Sequence, residues 1–441
     1  MNSSAAIIDK GVRWDNLVFW VTVFLLVANQ LFPPELNSVV CLAFIISWVF
    51  LSRTFFSFEA VKILLPYLFL VGIGSFSAFT NGNYSYHLLQ DFWYYLKPVL
   101  YFLTGFYIAV KTRSLRFLIY ALVVASCIVC IKHVSTFLIN PALLSSKISE
   151  IREEAGKSIY IAPIALAFLI YGALSKEKIL HINRVILALC LSLNSISILL
   201  TFSRTMLLVF AVILASLFGL FNLKGLGFWR LGLLIGAIVG FYFGATSLLS
   251  FVSTDTPIGA LLLKIERAPG EVTLNEAYLD KREIFLHWRG YEATIALKQY
   301  LKGSWIQQAT GQGLGRLVDL GFYTQLGENY HRFIPRIHNS YIEFLLKTGI
   351  LGSTFFAIFV LRLVFFPFKD STGIQERLLR RLVMSIGLCI LLSTALVSGI
   401  LNRSSFDPVM LILGISCGLV FVMNNFSGYP NEKATALQPQ A

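Results

Sequence analysis

Charge is scarce in this chain: of 441 residues only 13% are Asp, Glu, Lys or Arg, against 56% hydrophobic residues and a mean hydropathy of +0.73. So little charge cannot keep a chain of this size in water, which excludes the soluble globular classes. Histidine and cysteine are also sparse, at six each. Every cysteine, Cys41, Cys127, Cys130, Cys190, Cys389 and Cys417, falls within an apolar run, so no disulfide framework faces an oxidising exterior. Cys127 and Cys130 form a lone CxxC, and with no second Cys/His pair nearby they read as small packing residues rather than metal or redox ligands. The first apolar run lacks a small-residue cleavage site and is expected to stay in the membrane rather than leave as a signal peptide.

What is abundant is long apolar sequence, with 38 Phe and 18 Tyr to face lipid and its interfaces. Runs of roughly 17 to 25 residues, enough to cross a hydrocarbon core of about 30 Å, recur about twelve times. They lie at 14–32, 37–52, 60–79, 94–110, 116–138, 159–174, 184–202, 205–222, 230–250, 340–366, 380–400 and 408–425. The expected fold is an all-α integral membrane protein with about twelve transmembrane helices, since a barrel would alternate polar and apolar residues. Residues 1–252 hold the first nine spans, 253–338 a large loop, 339–425 the last three spans and 426–441 a tail.

Lys and Arg cluster on alternate short connections: Lys10 and Arg13, Arg53, Lys111 to Arg116, Lys176 to Arg184, Lys224 and Arg230, and Arg362 to Arg381. Retention of positive loops then predicts both termini in the cytoplasm and the large loop outside. The formal charge of +13 is mainly this bias, and it gives no reason to invoke nucleic acid.

The exterior loop is too long for a turn and is the candidate functional domain. Within it, KREIFLHWRGYEATIALKQYL (281–301) places Ile284, Trp288, Tyr291 and Ile295 on one helical stripe and Arg282, Arg289 and Ala296 on another, as in an amphipathic helix lying on a membrane surface. TGQGLGR, Thr310 to Arg316, reads chiefly as a tight structural turn. Its alternative is a set of backbone N–H groups that approach a phosphate or sugar.

RIHNSYIEFLLKTGILG, Arg336 to Gly352, carries His338 and Asn339 into the tenth span. Ser340-x-x-Glu343 matches a capping box, so the helix is expected to begin at Ser340 with His338 at the exterior face. A helix N-terminus disfavours imidazolium, which suits a proton acceptor; the alternative is a histidine that only bonds headgroups or loop backbone. TFSRT, Thr201 to Thr205, sets Arg204 at the exterior end of the seventh span, where guanidinium calls for an anionic partner, a polar cavity or lipid phosphate. Ser197, Thr201 and Arg204 share a stripe, and Asp91 and Lys97 form a further polar pair read as structural.

TFSRT, the loop helix with Arg289, the GQGLG turn and HNSYIEFLLKTGILG together resemble the O-antigen ligase and O-antigen polymerase superfamily. The last segment is the most specific, with His338, Asn339, Tyr341, Glu343, Gly349 and Gly352 in the family's H-N-x-Y/F-x-E/Q-x5-G-x-x-G pattern. The resemblance covers roughly residues 190–400 by motif. It implies a GT-C-like glycosyltransferase of a Gram-negative inner membrane, acting on the periplasmic side without metal, nucleotide or other cofactor. The donor would be an undecaprenyl-diphosphate-linked glycan and the acceptor a sugar hydroxyl of the lipid A core, both drawn from the lipid bilayer. His338 would be the general base. Arg204 and Arg289, with Arg282 as a further candidate, would bind the diphosphate, while Asn339, Tyr341, Glu343 and Gly313 would support the site. Planar guanidinium forks suit phosphate oxygens, and the loop has no compact Asp-x-Asp cluster for a metal. An O-antigen polymerase and a protein O-glycosyltransferase are alternatives within the superfamily, and a membrane transporter is one outside it.

Overall fold

The computed structural model describes residues 3–425 apart from 53–57, 84–85, 157–158, 176–178, most of 222–245, 255, 268–283, 286, 327–328, 367–372, 397 and 402–405. In chain order the described helices are α1 (Ser3–Leu31), α2 (Pro34–Ser52), α3 (Phe58–Thr80), α4 (Tyr86–Thr112), α5 (Leu115–Ile139), α6 (Ile148–Glu154), α7 (Ile161–Leu174), α8 (Arg184–Leu200) and α9 (Arg204–Leu217). After them come α10 (Pro257–Glu266), α11 (Trp288–Leu301), α12 (Trp305–Thr310), strands β1 (Val318–Leu326) and β2 (Asn329–Ile334), then α13 (Ser340–Val364), α14 (Ile374–Leu396) and α15 (Asp407–Asn425). The protein is predominantly helical and membrane-embedded: α3, α5, α13, α14 and α15 are long and apolar enough to cross a bilayer, and several shorter apolar helices accompany them. Helices occupy the expected apolar ranges up to Leu217 and again from Ser340 to Asn425. Much of the expected span at 230–250 lies outside the described residues.

Lipid tails are as apolar as leucine, so helices in a membrane associate through close packing and polar contacts. The tightest packing joins α4 to α15. A Cβ at Gly105 would lie 2.1 Å from the Leu411 carbonyl oxygen, and one at Gly414 would lie 2.0 Å from that of Phe102. Gly414 and Gly418 form a small-xxx-small stripe, and only their missing side chains let the two backbones approach so closely. Near one end of this helix pair, Lys97 forms a buried salt bridge with Asp407. The expected Asp91–Lys97 pairing is therefore corrected: both residues are structural, and each has a different partner.

The six cysteines are free thiols carried on α2, α5, α8, α14 and α15. Cys130 packs in the core beside Ser126, and the Cys127 sulfur lies 3.6 Å from that of Cys190.

The large loop departs from the all-helical expectation. β1 and β2 form an antiparallel hairpin whose register pairs Val318 with Ile334 and Leu326 with Asn329, with an irregularity between Asp319 and Thr324. Alternate β1 residues Val318 and Leu320 are buried, and they form a small core with Ala296 and Tyr300 of α11, Ile337, and Leu346 of α13. Trp288, Tyr291 and Ile295 pack against this core, and the Tyr291 hydroxyl donates to the Leu320 carbonyl at 2.6 Å. The apolar stripe foreseen for a membrane surface is thus covered by the hairpin and α13. A strand needs only two or three inward positions, too few to leave a clear period in the loop sequence.

Candidate active site

The structural basis of the site is a break in α13. Gly349 has φ 65° and ψ −169° inside the helix, and a Cβ there would lie 2.4 Å from the Ala309 carbonyl oxygen. The break frees carbonyls from the helical ladder, and the GQGLG turn takes them up: Gln312 N–H donates to Leu346 O at 2.8 Å and Gly313 N–H to Lys347 O at 3.0 Å. Leu314 N–H then reaches Gly74 O at 3.0 Å and Gly315 N–H the Asp91 carboxylate at 2.7 Å. These N–H groups bond protein acceptors, so the turn is a strut between the loop, α3, α4 and α13 rather than a phosphate cradle. Gly313 accordingly supports the fold. With φ at 91° and Ala78 Cα 2.4 Å from any added Cβ, Gly313→Ala is expected to prevent accumulation of folded protein, as read by size-exclusion profile after mild detergent extraction. A monodisperse, normally abundant variant would contradict this account of the turn.

Beneath the strut sits a buried ion cluster. Lys347 Nζ, with no exposed surface, lies 2.8 Å from Asp91 Oδ2 and 3.0 Å from Glu343 Oε1, and it donates to Pro335 O at 2.6 Å. Glu343 is therefore no part of a capping box. The N-cap of α13 is Asn339, whose side-chain oxygen accepts the N–H groups of Tyr341 and Ile342 at 3.1 and 3.4 Å. Ser340 Oγ donates instead to Ser398 O at 3.0 Å, and the Tyr341 hydroxyl to Leu391 O of α14 at 2.7 Å. The supporting residues foreseen from the motif hold the start of α13 in place.

What they hold is His338. Its backbone carbonyl accepts the N–H of Ser398 at 2.7 Å. Its backbone N–H and ring Nδ1 both meet Glu292 Oε2 of α11, at 3.2 and 2.7 Å. An oxygen that serves two such donors is the acceptor, so Nδ1 carries a proton, and Nε2 is the ring nitrogen left for other contacts. The Glu292 side chain is 3% exposed and that of His338 45%: a buried carboxylate orients a half-exposed ring. Glu292 was not a candidate in the sequence, where it is one acidic residue within a helix whose partner lies 46 positions away.

A second group converges from other elements. Arg204 opens α9 and donates through Nη1 to the Lys264 carbonyl of α10. Arg152 of α6, buried in large part, donates to Phe202 O at 3.3 Å. Burial first, and then the charges of Arg289 and Arg204, push the Arg152 guanidinium below its ordinary range, so each of those two arginines bears on Arg152. Arg289 stands three residues before Glu292 on α11, so the two share a face about 5–6 Å apart at Cβ. One helix therefore joins the arginine cluster to the His338–Glu292 pair.

No protein-family model and no curated protein matches this chain. Of the sequence candidates, His338 is bonded to Glu292 of the helix that carries Arg289, and Arg204 and Arg289 both bear on Arg152, while Arg282 lies outside the described residues. Arg152, missed in the sequence, lies among the ordinary glutamates Glu150, Glu153 and Glu154, and only the fold brings it under the charges of Arg204 and Arg289. Among the described residues no three His, Cys, Asp or Glu side chains converge as a metal ion would require.

Proposed function

We propose that the protein is a membrane glycosyltransferase that moves a glycan from a polyprenyl diphosphate to a sugar hydroxyl, with an O-antigen ligase acting on undecaprenyl-diphosphate glycan and the lipid A core as the best reading. The observation that carries it is on α11: Glu292 orients the half-exposed His338 ring, and Arg289, three residues earlier on the same helix, bears with Arg204 on Arg152. A diphosphate is the anion such arginines suit, because it meets planar forks and offsets the charge that bears on Arg152.

In this reading the acceptor oxygen attacks the anomeric carbon while its proton passes to His338 Nε2. The bond from the anomeric carbon to the phosphate oxygen breaks, and polyprenyl diphosphate leaves with the electron pair. A single displacement inverts the anomeric centre. Arg152, Arg204 and Arg289 stabilise the charge that grows on the leaving group, and Glu292 stabilises the imidazolium as it forms. The finer topology belongs to the same proposal: about twelve spans in a GT-C-like arrangement, crossing a Gram-negative inner membrane with both termini cytoplasmic and the site periplasmic.

The test is reconstitution of purified protein with undecaprenyl-diphosphate glycan and lipid A core, with product followed by mass spectrometry. Joined product is expected without nucleotide. Arg204→Ala, Arg289→Ala and Arg152→Ala are each expected to weaken donor binding and lower turnover, and Arg→Lys to restore part of both, since ammonium supplies charge without the planar fork. Joining that needs a nucleotide sugar, or arginine variants with wild-type donor affinity, would reject the reading.

A further inference from the structure

A second feature of α11 lies away from the arginines. Nine residues separate Arg289 from Lys298, which at about 100° per residue puts them on opposite sides of the helix. On the Lys298 side a cavity of about 720 Å³ opens, with Tyr291, Lys298, Lys302, Arg316, Asp319 and Phe333 in its wall. That volume falls within the roughly 300–1,000 Å³ of small-molecule sites. Lys298, Lys302 and Arg316 are exposed, and the Phe333 ring is 49% exposed.

The single carboxylate among these six is already engaged. Asp319 accepts Arg332 Nε and Nη2 at 2.9 and 3.0 Å and the Gly321 N–H at 2.9 Å, bonds that hold its carboxyl below the usual range. The exposed charge that the wall presents comes chiefly from Lys302 and Arg316. The polar amides nearby serve the fold: Gln299 Nε2 donates to Leu317 O at 2.9 Å and Asn83 Nδ2 to Gln312 O at 2.7 Å. Recognition there would come from cations at the rim and from the rings of Tyr291 and Phe333, which offer flat apolar faces.

We infer that this cavity is a subsite for an anionic saccharide, one bearing carboxylate or phosphate groups. It would hold a sugar distant from the reacting bond, with acidic groups on Lys302 and Arg316 and C–H faces on the aromatic rings. That the anion is a sugar rests on the glycan-transfer reading of the neighbouring site. The cavity's charge and ring content do not.

The experiment uses the full chain in phosphatidylcholine nanodiscs and titrates tetragalacturonic acid by calorimetry, with maltotetraose as the neutral sugar and citrate as the sugar-free anion. Tetragalacturonate is expected to bind, and maltotetraose and citrate to bind far more weakly. Lys302→Glu and Arg316→Glu, both at exposed positions, are each expected to weaken binding by about tenfold or more. Phe333→Ala should weaken it as well, and His338→Ala should leave it unchanged. If tetragalacturonate binds in this pattern while the wild-type protein transfers no glycan, the subsite stands and the enzymatic reading fails. No binding overturns the subsite, as does citrate binding equal to that of the sugar, indifference to both charge reversals, or displacement of the sugar when phosphatidylglycerol replaces phosphatidylcholine.

Discussion

His338→Ala is expected to lower glycan transfer by roughly 10²- to 10⁴-fold while donor affinity stays near that of the wild type, because a base acts on the acceptor proton in the transition state. Glu292→Gln supplies the finer test. An amide can still accept from Nδ1 but cannot stabilise an imidazolium, so turnover should fall by on the order of 10²-fold with little change in KM. Glu292 is buried and the substitution is nearly isosteric, so normal thermal stability can be checked alongside. A folded Glu292→Gln variant with full turnover would reduce the dyad to a structural contact. A folded His338→Ala variant with full transfer would remove the proposed base altogether.

Loss of Lys347 is expected to have the largest effect on stability. It joins Asp91 and Glu343 at a point with almost no solvent access, and removing one member of a buried ion cluster typically costs roughly 3–5 kcal/mol because the remaining charges stay unpaired. Lys347→Met should therefore lower the Tm of the detergent-solubilised protein sharply. Adding Asp91→Asn and Glu343→Gln to the same chain should recover much of the loss, since the repulsion and desolvation of the two carboxylates disappear with them. The buried free cysteines provide the readout, as a thiol-reactive dye reports their exposure on unfolding. A single variant that melts with the wild type would show that the cluster is not what secures the strut. A triple variant no more stable than the single one would show that unpaired charge is not the cause.

The two effects are linked through the chain. The cluster and the GQGLG strut fix the first turns of α13, and that segment carries His338 against Glu292. Partial loosening of the strut should therefore disturb the His338–Glu292 contact, and with it the proposed transfer, before the membrane helices unfold.

Much of this arrangement was legible in the amino-acid order. Apolar length alone located the membrane helices, because a span must satisfy its own backbone hydrogen bonds and so writes a continuous signal. His338 and Arg204 were legible for a related reason: a costly polar group at the end of an apolar run stands out. The capping box was misread because Asn339 and Ser340 are both competent caps, and only the backbone shows that Asn339 takes the role. The hairpin was missed because its inward residues are few, and the foreseen amphipathic face of α11 found its cover in that hairpin rather than in lipid.

The sequence by itself determined a helical membrane protein with one large non-membrane loop, and it marked out the histidine and two of the arginines, since hydropathy and the cost of charge near hydrocarbon are local properties. Tertiary structure alone decided that Glu292 orients His338, that Arg152 joins Arg204 and Arg289, and that Asp91 pairs with Lys347 rather than Lys97. These are contacts between residues tens to hundreds of positions apart. Their energies depend on distance and burial, and neither is written in the order of the chain until the helices pack.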